Sequence, residues 1–287
     1  MRKLLSLLLI SAILYACRQS PAYFSRIAKN DIPLQAPQRG EWLYKHKENG
    51  QSLKEYKAAH PIKASSERSV IYLLPVGTFT PLQKEIIAAT RSYNETFFQL
   101  KTVVLPAISD TMPPIAQRLY GEDNHPQLLA SYILDSVIKT KKPKDAIVLL
   151  AISAKDLYPQ SSWNYVFGLA SYSEQVGISS IYRLQNQQLD SSNYTVCLRR
   201  LLIISTHEIG HMFSMHHCIH AKCTMNGTNG LEETDRTPAR LCAVCQQKLA
   251  MAVVYSNEQR LQQLITFFRR HQLTSDEALL KADAMLQ

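Results

Sequence analysis

Residues 205–218 read STHEIGHMFSMHHC, and these fourteen positions hold four histidines, one glutamate and one cysteine. His207, Glu208 and His211 form H-E-x-x-H. The preceding VCLRRLLIIST (196–206) supplies most of a helix. On a helix, positions i and i+4 share a face, so both imidazoles can reach one ion. Glu208, one position along, is free to polarise a water instead of ligating. His217 stands six residues after His211, giving H-E-x-x-H-x-x-S-x-x-H. That length lets the chain leave the helix and return a third imidazole. Three histidines with an open fourth position are the arrangement of a catalytic rather than a structural zinc. The bland reading is an amphipathic helix that shows its histidines to solvent; the third histidine weighs against it.

Upstream of this helix the chain alternates strand and helix. SVIYLLPV (69–76) is short, apolar and β-branched, as a buried strand is. Thr80-Pro81 opens a helical pattern through LQKEIIAATRSYNETFF, with Thr80 as N-cap, Pro81 at the first helical position and Glu85 near the first turn. LKTVVLP (100–106) reads as a second strand and QLLASYILDSVIK (127–139) as a second helix. DAIVLLAIS (145–153) has no polar alternation and reads as a central strand. The β-α-β-α-β order predicts an α/β fold, a mixed and mostly parallel sheet covered by helices. NYVFGLASYS and GISSIYRL are expected as two further strands at the sheet edge. Trp163 and Tyr165 either line a cleft or, as the strand reading favours, pack as aromatic core of an edge strand. From Thr195 onward the pattern is helical. Thr237 and Pro238 are expected as N-cap and first residue of a helix carrying LCAVCQQKLAMAVVY. Neither an internal repeat nor a low-complexity tract is visible.

Four of the six cysteines fall as two close pairs, Cys218 with Cys223 and Cys242 with Cys245, separated by eighteen residues. Such pairs suit a closed zinc site with four thiolates. In an exported protein a disulfide or a redox C-x-x-C pair competes with that reading. Their nearness to the three histidines favours zinc, because a thiolate cage would brace the same loop. Cys197, in an apolar helix start, reads as a buried free thiol.

The 287 residues are 46% hydrophobic and 19% charged, which predicts a packed core in one sizeable domain or two small ones. The formal net charge of +9 invites an anionic partner, but no block of five Lys/Arg occurs. TKKPKD (140–145) is the densest basic run and reads as a solvated loop, so nucleic acid is not an expected partner. MRKLLSLLLISAILYAC (1–17) has a basic start and an apolar stretch from Leu4 to Tyr15. That stretch is shorter than the roughly 20 residues that span a bilayer, and it reads as a signal peptide. Its end, Leu14-Tyr15-Ala16-Cys17, resembles a bacterial lipobox, which implies cleavage before Cys17 and acylation there; an ordinary secretory signal with an incidental cysteine, or a short membrane anchor, competes with that reading. The expected organisation is a signal over 1–16, a lipid-anchored tether and irregular N-terminal extension over 17–66, and a catalytic domain over 67–287. The expected location is the bacterial cell envelope, with the membrane as a partner through the lipid anchor and the chain as a monomer.

HEIGHMFSMHHCIHAKCTMNGTNGLEETDRTPARLCAVCQQKL (207–249) resembles the signature of the archaemetzincins, zinc metallopeptidases of the metzincin clan. Their pattern is H-E-x-x-H-x-x-G-x-x-H-C-x4-C-x-M, followed downstream by C-x-x-C. DLYPQSSWNYVFGLAS (156–171) is similar to a family segment ahead of the catalytic helix. The resemblance implies a metzincin-like fold and two zinc ions. His207, His211 and His217 would hold the catalytic ion, with Glu208 as general acid/base. Cys218, Cys223, Cys242 and Cys245 would hold the structural one. Met225 matches the methionine of a turn beneath the catalytic metal. The implied reaction is hydrolysis of a peptide or protein by a zinc-activated water, without an acyl-enzyme. Ser214 replaces the family glycine, at a place where glycine would allow a left-handed backbone. His216 is adjacent to His217, but the spacing and the following cysteine favour His217; His220 reads as exposed. Ser214 leaves open a catalytically inactive zinc-binding lipoprotein, and the Cys242–Cys245 pair leaves open a redox module.

Overall fold

The computed structural model describes residues 21–186 and 188–286. The expected signal over 1–16 and Cys17 lie outside these residues. Strand β1 (Val70–Val76) pairs in parallel with β2 (Thr102–Val104) and with β5 (Ala146–Ser153), whose eight residues are all buried. The main sheet has the order β2-β1-β5-β8-β7, with β7 (Gly168–Ser171) antiparallel at its edge. β8 (Val176–Ser180) corrects the expectation that both late strands are edge strands: it runs parallel to β5, inside the sheet. Its five residues are all buried, while every residue of β7 is half-exposed.

The two faces of the sheet are covered separately. Ile71, Leu73, Val148, Leu150 and Ile152 point into the larger core, shared with helices α1 (Pro81–Phe98) and α2 (Tyr194–Met212). Leu74, Val76, Leu149 and Ala151 alternate with them and meet Ile133, Leu134 and Ile138 on the opposite face. This is the period-2 alternation of a strand buried on both sides. Helix α1 starts with a capping box: Thr80 Oγ1 accepts from the Gln83 N–H at 3.3 Å and Gln83 Oε1 accepts from the Thr80 N–H at 2.9 Å. Gln83, not Glu85, is therefore the residue that completes the cap.

The second expected helix starts late. Gln127–Leu129 belong to β4 (His125–Leu129), which lies between β3 (Gln117–Tyr120) and β6 (Asp156–Tyr158) in a separate three-stranded sheet. Helical structure begins at Ala130 and is a π-helix over Ile133–Ile138. Tertiary partners decide the boundary: Gln127 Nε2, fully buried, donates to Asp156 Oδ2 at 2.6 Å and to the Asn164 carbonyl at 2.9 Å.

Three further helices close the larger core: α3 (Ala243–Ala252), α4 (Asn257–Arg270) and α5 (Thr274–Ala284). The start expected for α3 is also corrected. Thr237 instead ends the short helix Leu231–Arg236, and Cys242 takes the N-cap position of α3. The stretch expected to be an irregular extension carries short helices at Pro21–Ile27, Trp42–Lys45 and Leu53–Ala58, and its Tyr56 is fully buried in the larger core. Among the described residues, no helix is long and apolar enough to cross a membrane.

Candidate metal and active site

Helix α2 carries the site because its upstream turns are apolar and anchored: Leu198, Leu201 and Leu202 are fully buried, and Arg200 pairs with Asp235 at 2.6 Å. The helix stops just past His211. Ser214 takes φ +67°, and its N–H donates to the His211 carbonyl at 2.8 Å. A left-handed residue at a helix end is what the expected glycine would supply, and serine there costs about 1–2 kcal/mol. The turn redirects the chain so that His217 faces back toward the helix.

The three imidazoles converge. One ligand atom from each of His207, His211 and His217 lies within 4.8 Å of the others, and His207 Nε2 stands 2.9 Å from His211 Nε2. Each Nδ1 points outward to an acceptor. His207 meets the Thr224 carbonyl at 2.9 Å, His211 the Met215 carbonyl at 2.7 Å, and His217 both carboxylate oxygens of Glu48 at 2.9 Å. The Tyr172 hydroxyl is also 2.8 Å from His211 Nδ1. Protons assigned to Nδ1 leave all three Nε2 lone pairs for one centre. Burial pushes the His207 pKa down to about 3 and holds His211 well below the usual range, so both rings are neutral near pH 7. A neutral imidazole is the form that ligates zinc.

Glu208 is 6% exposed, and burial alone pushes its pKa up to about 8. A dication beside it would favour the carboxylate again. Its carboxylate abuts Gly168, the first residue of β7, where an added Cβ would collide with it. Gly210 plays the same part on the helix: Met225, fully buried, sets its sulfur against the space that a side chain would fill. His216 and His220 are exposed and lie outside the converging set.

The cysteine pairs meet at a second centre. The four sulfurs of Cys218, Cys223, Cys242 and Cys245 lie within 4.8 Å of one another, and all four residues are buried. The Cys218 and Cys242 sulfurs are 3.6 Å apart, and no disulfide joins any of the described cysteines. The Cys242 and Met225 N–H groups donate to Cys223 Sγ at 3.3 and 3.5 Å, as suits a thiolate. The Cys218 N–H donates to the Met225 carbonyl at 2.7 Å, which ties this centre to the histidine site. This donor set fits a closed tetrahedral zinc. Cys197 sits apart in the core, its thiol pushed up to about 12 by burial.

A cleft of about 1430 Å³ opens over His207, Glu208, His211 and His217. Strand β7 forms one wall. Trp163 and Tyr165 line another, and both precede β7 rather than lying on a strand; Tyr165 also packs against the larger core, so the two readings hold together for it. Arg118 holds that loop by donating to the carbonyls of Ser161, Trp163 and Asn164 at 3.0, 2.6 and 3.0 Å. Trp42 and Glu48 complete the cleft from the N-terminal side; no periodicity or spacing in the sequence marks them. Burial raises the Glu48 pKa, but hydrogen bonds from His217 and Trp42 outweigh it and leave a net downward shift.

The sequence profile described as Peptidase family M54 matches residues 115–251. The chain is 31% identical to archaemetzincin-2 of Rattus norvegicus over 264 residues, which cover 81% of this chain and 73% of that protein. Human archaemetzincin-2 is also 31% identical, over 265 residues covering 82% of this chain and 73% of that protein. Among solved structures, archaemetzincin from Methanopyrus kandleri matches with a TM-score of 0.53 at 24% identity, over 65% of this chain and 96% of that one. At this identity the structural likeness supports the fold alone.

Proposed function

The chain belongs to Peptidase family M54, the archaemetzincins, and is a zinc metallopeptidase; we propose that His207, His211 and His217 hold its catalytic zinc, that Glu208 is the general acid/base, and that Cys218, Cys223, Cys242 and Cys245 hold a second, structural zinc. One observation carries this reading: each imidazole engages Nδ1 outward, which leaves three Nε2 atoms for one ion beside a buried glutamate. Zinc bound there supplies Lewis-acid polarisation of a peptide carbonyl and makes water a stronger nucleophile.

The chain's own groups then divide the work. Glu208 takes a proton from the attacking water onto its carboxylate and returns it to the leaving amine nitrogen. A C–O bond forms, the C–N bond breaks, and a carboxylic acid and an amine leave. Among the described residues, strand β7 pairs with β8 on one side only, and its Gly168, Leu169 and Ala170 line the cleft. An extended peptide can add to that free edge by main-chain hydrogen bonds, which aligns its carbonyl over the site.

Chelation tests the reading. The histidine site is open and the cysteine site closed, so treatment with EDTA should first remove one zinc per chain and abolish peptide hydrolysis. Added zinc should restore both. Undiminished hydrolysis by fully zinc-free protein would overturn the reading.

A further inference from the structure

We propose that residues 48–56 clamp the loop carrying the third histidine, and that Glu48 is the positioning residue for His217. This rests on the reading of His217 as a zinc ligand. Residues 48–56 lie outside the stretch matched by the family profile, 115–251. Glu48, Gly50, Gln51 and Tyr56 nevertheless all contact the ligand loop. The Tyr56 hydroxyl, fully buried, donates to the Phe213 carbonyl at 3.0 Å. Gln51 Nε2 donates to the Ser214 carbonyl at 3.2 Å, and Gln51 Oε1 accepts from the His216 N–H at 3.3 Å. Glu48 then takes His217 Nδ1 at 2.9 Å on both of its oxygens.

The clamp is itself fixed at both ends. Ser52 and Glu55 form a capping box that starts the helix Leu53–Ala58 and so sets Tyr56. Lys248, on the helix that carries Cys245, is buried and donates to the Gln51 carbonyl at 2.6 Å and to Gln51 Oε1 at 3.1 Å. Gly50 has φ +65° and runs so close to Ile219 that a Cβ there would collide with its side chain. Gln51, Tyr56 and Lys248 anchor the segment as buried groups, behind the partly exposed Glu48–His217 pair.

A clamp is needed at this place. Ser214 holds a left-handed conformation that serine disfavours, and His217 follows three residues later in non-helical chain. A carboxylate on Nδ1–H fixes the tautomer and ring orientation of a ligating histidine and raises its basicity. Glu48 contacts the nitrogen facing away from His207 and His211, so it orients the ligand and does not block the metal.

The competing explanation is that Glu48 only holds the cleft wall, since it also accepts from Trp42 Nε1 at 2.9 Å. Zinc affinity at the histidine site of the full chain, measured by competition with a chromophoric chelator, separates the two. Glu48→Ala should weaken zinc binding there by about 10–100-fold and reduce hydrolysis in parallel, with the cysteine-site zinc retained. Trp42→Phe removes the indole donor and trims a ring that meets His217 edge-on at 5.3 Å between centroids, and it should weaken zinc binding far less than Glu48→Ala. Glu48→Gln keeps an acceptor without charge and should fall between Glu48→Ala and wild type. Wild-type zinc affinity in Glu48→Ala overturns the proposal, and so does Trp42→Phe reproducing its full loss. Where Glu48→Ala fails to fold, Glu48→Gln decides: weakened zinc supports the proposal and wild-type affinity overturns it. A wild-type chain that takes up no zinc at the histidines overturns the ligand assignment itself, whatever the variants do.

Discussion

Glu208→Ala should keep both zinc ions and lose peptide hydrolysis by about 10²–10⁴-fold, the usual worth of a positioned general acid/base. Glu208 sits on the helix between His207 and His211, but its carboxylate turns toward Gly168 rather than into the converging set. Removing it deletes proton transfer and leaves the three Nε2 donors in place. The fold should tolerate the change, because burial already penalises the charged carboxylate and no ion pair is lost with it. An interaction made only in the transition state lowers kcat and kcat/KM together. Steady-state kinetics and metal content measured on the same preparation check this. A variant with wild-type kcat would sink the assigned role.

Cys242→Ser should lose one zinc and melt well below the wild type. The four sulfurs are buried and lie within 4.8 Å of one another, so a zinc held there would contribute folding free energy directly. Each kcal/mol lost moves the melting temperature of a domain of this size by about 2–4 °C, and losing a structural zinc should lower Tm by roughly 10 °C or more. Activity should fall as well, by an indirect route. Cys218 follows His217 directly, and its N–H holds the Met225 carbonyl at 2.7 Å, so a loosened cage releases the third histidine and the methionine together. Calorimetry beside metal analysis decides the matter. Unchanged zinc and Tm in Cys242→Ser would remove the second metal site and return the cysteine pairs to a disulfide or redox role.

The elements legible in the sequence are those whose chemistry is local. β1 and β5 are continuous apolar runs, buried on both faces, and need no partner to be recognised. The histidine and cysteine sets were legible for a related reason: metal ligation demands particular side chains at short, fixed spacings. The three-stranded sheet was not, because QRLY and HPQLL have neither alternation nor β-branched runs and are strands only through their pairing. β8 is short and contains a glycine and two serines, and only its place between β5 and β7 makes it interior. Glu48 was invisible because its partner lies 169 residues away and nothing in KHKENGQ marks one polar residue above another. Arg118 reaches its loop carbonyls across 43–46 residues and is equally silent.

Anomalous scattering at the zinc edge, from crystals of the zinc-loaded protein, tests the central assignment most directly. The arrangement predicts two zinc peaks per chain. One should be contacted by His207, His211 and His217 through Nε2, with Glu208 beside it but not bound; the other should be enclosed by Cys218, Cys223, Cys242 and Cys245. The absence of zinc among the three histidines, or a peak there held by His216 in place of His217, would contradict it.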